Sequence, residues 1–501
     1  MKKVRISVII IMLGTLVSKA LGLVREVILA QKYGTGYISD SFILSLNIPT
    51  VLITSVAGAI STNYIPIFSR AEKESNEKAK KFNGNLLGVC LIISIITIVI
   101  FLFFTKNIVN IFAVGFDELG LTYLVNLSRI TIFSIYFISS ANIFKGYLEY
   151  RGKFLGTSLY GILLNIGMIL GILFSSTEKY ILLGYGVLGG YILGFTMLAL
   201  LARKNSFKAK PNVNFKDECL KILVTLTLPM ILNDAVWQIN GIVDKSISST
   251  IGSGYISAIN YSHYIVDMIS SIFATSIVTV FFPNIVKSFN ESGIEIVKEK
   301  TCKILRTILL VTIPVTILII LFAKIIVKVL FYRGAFNETS LNVTSTAVAI
   351  YSLALSFVCI KIILFKVFYA MQDTKSPTKS AIIAIVVNII LSIVLSKILG
   401  YIGIVIATVI ASIVSTTLLV TIFNKKNGKL IKKKLLLDIV KILISAIIMT
   451  ICINICDKLL NSIFIDEGIW IDIVKAIIET LAGMVIYLLL LFLMKFKFKI
   501  K

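Results

Sequence analysis

The feature that most restricts the fold of this chain is the recurrence of long, uncharged apolar blocks. Residues 86–104, 307–323 and 401–423 are clear examples, and at about 1.5 Å of helix rise per residue each is long enough to cross roughly 30 Å of hydrocarbon. Segmenting the whole chain by such blocks and their breaks predicts an all-α integral membrane protein with about 14 transmembrane helices. The short alternating segments that an outer-membrane barrel requires do not occur. Composition agrees: 57% of residues are hydrophobic and 15% charged, against roughly 45–50% hydrophobic in a soluble domain.

The 50 Lys and Arg against 25 Asp and Glu give a net charge of +25. In a soluble protein this would point to nucleic acid, but here the cations sit between apolar blocks. They fall in every second connection: Arg70 to Lys81, Arg151 with Lys153, Arg203 to Lys216, Lys298 to Arg306, Lys375 with Lys379, Lys425 to Lys434, and Lys495 to Lys501. The intervening connections, around Asp117–Glu118, Asn337–Glu338 and Asp466–Glu467, are acidic or short. The positive-inside rule then places both termini in the cytoplasm, with the basic loops facing anionic membrane lipids and no nucleic-acid partner. The first block follows a basic start, as in a signal peptide, but no small-residue cleavage site follows, so it reads as a retained first helix. Cys90, Cys219, Cys302, Cys359, Cys452 and Cys456 lie in or beside apolar segments without metal-ligand spacing and read as packing residues.

The chain repeats itself. GTGYIS from Gly34 returns as GSGYIS from Gly252, Pro66 as Pro283, Phe144–Lys145 as Phe365–Lys366, and Asn165 as Asn388, all about 220 residues apart. Two homologous six-helix lobes follow, residues 1–204 and 205–424, with residues 425–501 adding two helices that have no counterpart. An even number of spans per half gives both halves the same orientation, so the expected symmetry is a pseudo-twofold along the membrane normal. Such a duplication suits an alternating-access transporter, whose substrate site forms where repeats meet.

Ionisable groups inside spans are costly and mark function. The first helix carries Lys19, Arg25 and Glu26, and Ser18, seven residues before Arg25, shares its face. Two cations in one helix suit a phosphate or diphosphate, Arg offering a fork of donors and Lys a point charge. The structural alternative is snorkelling, or pairing with Glu26 or Asp40. The second helix opens at Asp40 and contains Asn47-Ile48-Pro49, whose proline should kink it and free a carbonyl. In the second half Asp244, Lys245, His263 and Asp267 occupy the corresponding helices, and His263 is the sole histidine. No phosphate-binding loop, zinc-protease motif or second histidine is present, so no catalytic residue is expected, and transport would draw on an ion gradient, the membrane potential or the substrate gradient.

These motifs together resemble the MurJ/MviN family of lipid II flippases, within the superfamily that also holds multidrug antiporters and polysaccharide exporters. The resemblance rests on SKALGLVRE at 18–26, YGTGYISDSF and NIP after it, LFYRGAF at 330–336 and FYAMQDTKSPTK at 368–379. It covers essentially the whole chain. It implies a cavity between two lobes for the diphosphate of lipid II, in which the family's cavity cations match Lys19 and Arg25 and its acid matches Asp40, and a groove for the polyprenyl tail made by the two added helices; Ser18 and His263 complete the candidate substrate-binding residues. The family's usual arginine at position 19 is Lys here, and two further cavity arginines align with Ile53 and Tyr264. Some members hold sodium in the second lobe. By that pattern Asp244, Asn388 and Thr408 would be its oxygen ligands, with Ser392 where a second acid would stand.

The expectation is a multi-pass protein of the bacterial plasma membrane that moves lipid II from the inner to the outer leaflet without chemical change. A flippase for another undecaprenyl-diphosphate glycan is the nearest alternative. A cation-coupled drug antiporter should favour acidic cavity residues over Lys19 and Arg25, and a membrane-embedded glycan polymerase would need a catalytic acid or histidine on a long external loop.

Overall fold

The computed structural model describes residues 2–210, 212–430, 433–464 and 468–496. Lys432, Asp466, Glu467 and the basic tail beyond Phe496, all used above to assign topology, lie outside these residues. The described chain is helical, with no strand among the described residues.

The first half runs through α1 (Lys2–Tyr33), α2 (Tyr37–Glu74), α3 (Asn76–Phe103), the short α4 (Thr105–Phe112), α5 (Glu118–Thr131), α6 (Ser134–Tyr150), α7 (Leu155–Phe174) and α8 (Leu182–Lys204). The second continues with α9 (Glu218–Ile251), α10 (Tyr255–Phe331), α11 (Glu338–Ser352), α12 (Leu355–Ala370), α13 (Lys375–Leu399) and α14 (Tyr401–Asn427), and ends with α15 (Lys433–Ile463) and α16 (Ile469–Leu493). Helix α10 is two arms joined at Gly293, whose φ of 73° breaks the helical path. Eight helices, counting the second arm of α10, are long and apolar enough to cross a membrane, and three bent pairs raise the number to eleven. Helices α1 (32 residues) and α9 (34 residues) are of spanning length but are not among these eleven.

Spans that look continuous in the sequence are broken at matching places. In the first half α5 and α6 bend by 42°, and in the second α11 and α12 bend by 46°. The two pairs also begin alike: Asp117 Oδ1 accepts from the Gly120 N–H at 2.8 Å, and Asn337 Oδ1 accepts from the Ser340 N–H at 2.9 Å. Each side chain satisfies one of the orphan donors of a helix start. Helix α2 bends by 54°, but between Ile53 and Val56, beyond Pro49 rather than at the expected proline. Pro49 leaves the Ser45 carbonyl without its helical partner, and the Thr131 hydroxyl of α5 takes that carbonyl at 2.8 Å.

The helices form two compact units, Met1–Ser257 with Arg333–Phe336, and Ala258–Tyr332 with Asn337–Lys501. In the first, α7 and α8 approach through glycines: a Cβ on Gly167 would lie 2.3 Å from the Gly190 Cα, and one on Gly171 would lie 2.6 Å from the Gly186 Cα. Small residues four apart give membrane helices this close contact without a hydrophobic drive. The connection after α8 is bound along α3. Asn83 Nδ2 donates to the Lys208 carbonyl at 3.1 Å, Lys210 N–H to the Lys80 carbonyl at 3.2 Å, and Asn85 and Asn214 bond reciprocally at 2.9 and 2.8 Å. Gly84 lies under this strap so closely that a Cβ would fall 1.6 Å from the Lys210 carbonyl oxygen. The buried Asn83 and Asn85 thereby fix this exposed basic connection along the start of α3.

In the second unit the added hairpin α15–α16 is fixed to the second arm of α10. Arg306 pairs with Asp438 at 2.9 Å and lies 4.1 Å over the Phe496 ring, Lys328 pairs with Asp472 at 2.8 Å, and the Tyr487 hydroxyl donates to the Leu310 carbonyl at 2.8 Å.

Candidate functional site

Ser18 and Arg25 share the face of α1 that packs on α7, as their spacing predicts. Asn165 of α7 joins them: its Nδ2 donates to the Ser18 carbonyl at 3.2 Å and to the Gly161 carbonyl at 2.9 Å, while its Oδ1 accepts from Arg25 Nη1 at 3.2 Å. The same Nη1 lies 3.2 Å from the Met168 sulfur, and Nη2 pairs with Glu26 Oε1. The Glu26 side chain is 2% exposed and that of Arg25 14%. Of the alternatives open in the sequence, pairing of Arg25 with Glu26 is therefore realised, and Arg25 is held at the guanidinium by α1 and α7 together. A buried carboxylate needs a cation beside it, and the neighbouring arginine supplies one. Lys19, one residue from Ser18, is half-buried.

Asp40 takes a different place. It is fully buried in the first turn of α2, and its carboxylate accepts two backbone N–H bonds, from Gly254 to Oδ2 and from Ser257 to Oδ1, both at 2.7 Å. These donors belong to the loop before α10 and its first turn, where unpaired N–H groups and the helix dipole favour an anion. The carboxylate thus ties the two copies of the repeated G-x-G-Y-I-S loop to each other. Residues 333–336 close the same region: the Ala335 N–H donates to the Gln31 carbonyl at 2.8 Å, and at Gly334, with φ of 60°, a Cβ would stand 2.2 Å from that oxygen. Only glycine fits there. The RGAF portion of the LFYRGAF motif therefore serves as a wedge against the end of α1.

The second-half residues divide. Asn388 and Thr408 come together, Asn388 Nδ2 donating to Thr408 Oγ1 at 3.3 Å, while the Thr408 hydroxyl donates to the Ile404 carbonyl at 3.2 Å. Asn388 and Ser392 are buried on the same helix. Asp244 belongs to the first compact unit, where Asn240 Nδ2 donates to it at 3.4 Å. Asn388 and Thr408 carry oxygen donors of the kind an alkali cation takes, but Asn388 turns its nitrogen, not its oxygen, toward Thr408. His263 is exposed and lies edge-on to the Tyr351 ring, with centroids 5.6 Å apart.

Sequence reasoning missed Asn165 and Met168 as partners of Arg25. Asn165 was visible only as a member of the repeat; a polar residue recurring in an apolar helix was the available signal.

The model of the lipid II flippase MurJ family matches residues 29–493. The chain belongs to this family. A probable lipid II flippase MurJ of Buchnera aphidicola subsp. Acyrthosiphon pisum is 30% identical over 377 residues, 73% of each chain. One from Rickettsia prowazekii is 27% identical over 376 residues, 74% of each. Among solved structures, a lipid II flippase MurJ in an inward closed conformation is 28% identical, with a TM-score of 0.82 over 96% of this chain and 98% of that one. An inward-facing MATE multidrug transporter of the MOP superfamily, at 16% identity, has a TM-score of 0.71 over 82% of this chain; it shows the shared superfamily fold alone. The fold class expected from the sequence is thus that of the MurJ family, a multi-pass, all-helical membrane transporter.

Proposed function

We infer that this protein carries lipid II from the inner to the outer leaflet of the bacterial plasma membrane by alternating access of two lobes, 1–204 and 205–424, and leaves the lipid chemically unchanged. The observation that carries this reading is the family match over residues 29–493, to which the full-length likeness to a solved lipid II flippase adds. In this account Ser18, Lys19 and Arg25 receive the diphosphate, Arg25 with its fork and Lys19 as a point charge. Asp40 is assigned to conformational closure rather than to the substrate, because both its oxygens are engaged by backbone donors. With both termini cytoplasmic, the Gly34 and Gly252 loops are external, and the Asp40 tie joins the two loops at that side. Sodium at Asn388 and Thr408 would couple transport to an ion gradient, and the membrane potential is the other driver.

One observation favours a second reading. Ile53 and Tyr264 stand where the family resemblance leads one to expect arginines, so a less anionic undecaprenyl-diphosphate glycan is the competing cargo. Depletion of the protein in its own cell distinguishes the two: lipid II should accumulate on the inner leaflet, and accumulation of a different lipid-linked glycan with lipid II unchanged would overturn the assignment.

A further inference from the structure

The arrangement around Arg25 has a counterpart in the other half of the sequence. Glu26 and Asp244 are separated by the same interval as Gly34 and Gly252, and Asn165 and Asn388 are repeat partners. Each half therefore brings one acid from its first helix and one asparagine from its fifth. The halves differ beside the acid: Arg25 aligns with Val243, and Val27 with Lys245.

In the first half these groups surround a cation. Arg25 Nη2 is paired with Glu26 Oε1, and Nη1 is bonded to Asn165 Oδ1 and to Met168 Sδ, each at 3.2 Å. Both N–H groups of the Asn165 amide are directed to carbonyls, those of Ser18 and Gly161. Its oxygen is therefore obliged to face the guanidinium, whatever fills that place. The acceptors are held in the packed interior: Asn165 is anchored by carbonyls of α1 and α7, and Glu26 and Met168 are buried.

We propose that Glu26, Asn165 and Met168 form a cation-binding cradle occupied by the chain's own Arg25 guanidinium, and that shortening Arg25 opens it to a free guanidinium-type monovalent cation. Guanidinium fits because the acceptors take two N–H groups on different nitrogens, one from a carboxylate and one from an amide oxygen. On this view the first half carries its cation covalently, and Arg25 meets substrate only as far as Glu26 releases one side of its fork.

The test is thermal unfolding of the full-length protein in detergent, a readout that needs no lipid substrate. Its failure is therefore separable from failure of the functional reading. Arg25→Ala should show a saturable rise in Tm of about 2 °C or more on adding millimolar guanidinium chloride. No rise is expected with urea, which has the same shape without the charge, or with tetramethylammonium chloride. Wild type, whose cradle is full, and Arg25→Ala/Glu26→Gln, whose cradle is neutral, should not respond. No rise in Arg25→Ala, or an equal rise in the double variant, overturns the proposal. Should Arg25→Ala fail to accumulate, Arg25→Lys keeps the charge and loses the fork: Asn165→Leu should then lower the Tm of wild type by more than that of Arg25→Lys, and equal losses overturn it.

Discussion

Arg25→Ala is expected to reduce flipping to the level of empty liposomes and also to lower the Tm, whereas Arg25→Ala/Glu26→Gln should recover stability without recovering transport. The two losses have different causes. Removing Arg25 takes from the buried Glu26 carboxylate the guanidinium it is paired with, and breaking such a pair costs about 3–5 kcal/mol. Neutralising Glu26 removes that cost. The diphosphate still lacks its bidentate donor, so transport should stay absent. Arg25→Lys should retain part of the activity, since the charge survives and the fork does not. Flipping of fluorescent lipid II, measured beside Tm for the three variants, separates folding from function. Wild-type transport by the double variant would remove Arg25 from the substrate machinery.

Asp40→Ala is expected to open the outer end of the molecule. Both carboxylate oxygens accept backbone N–H bonds at 2.7 Å. Hydrogen bonds to a charged group are worth about 1.5–3 kcal/mol each, so losing two shifts the equilibrium away from this conformation by roughly a hundredfold or more. Thr35 is the reporter, because its backbone lies where a Cβ on Gly254 would touch it at 3.0 Å. In a Thr35→Cys background, labelling by a membrane-impermeant maleimide from outside should be much faster with Ala at position 40 than with Asp. Asp40→Asn, which keeps one acceptor and loses the charge, should fall between. Equal labelling rates in all three would show that the tie does not govern closure.

Much of this was legible in the sequence for a simple reason: lipid imposes length, polarity and charge placement on every span. The repeat was legible because the glycine-rich loops tolerate little change where backbones touch, as at Gly34 and Gly254. The common face of Ser18 and Arg25 followed from helical periodicity alone. The role of Asp40 did not, since its partners are backbone N–H groups in the other copy of the loop, and backbone donors have no sequence signature. The strap along α3 was hidden for a related reason: residues 205–217 read as a basic, polar connection, and only the tertiary fold reveals that Asn83, Gly84 and Asn85 receive it. The breaks within the fourth span of each half also escaped notice, because neither 132–133 nor 353–354 contains proline or glycine.

Whether this chain by itself moves lipid II is read from transbilayer movement in proteoliposomes holding only the purified protein, with fluorescent lipid II placed in one leaflet. Rapid, protein-dependent exposure in the opposite leaflet is expected, competed by unlabelled lipid II and lost with Arg25→Ala. Movement no faster than in protein-free vesicles under every imposed ion gradient and membrane potential, or movement competed only by a different undecaprenyl-diphosphate glycan, would contradict it.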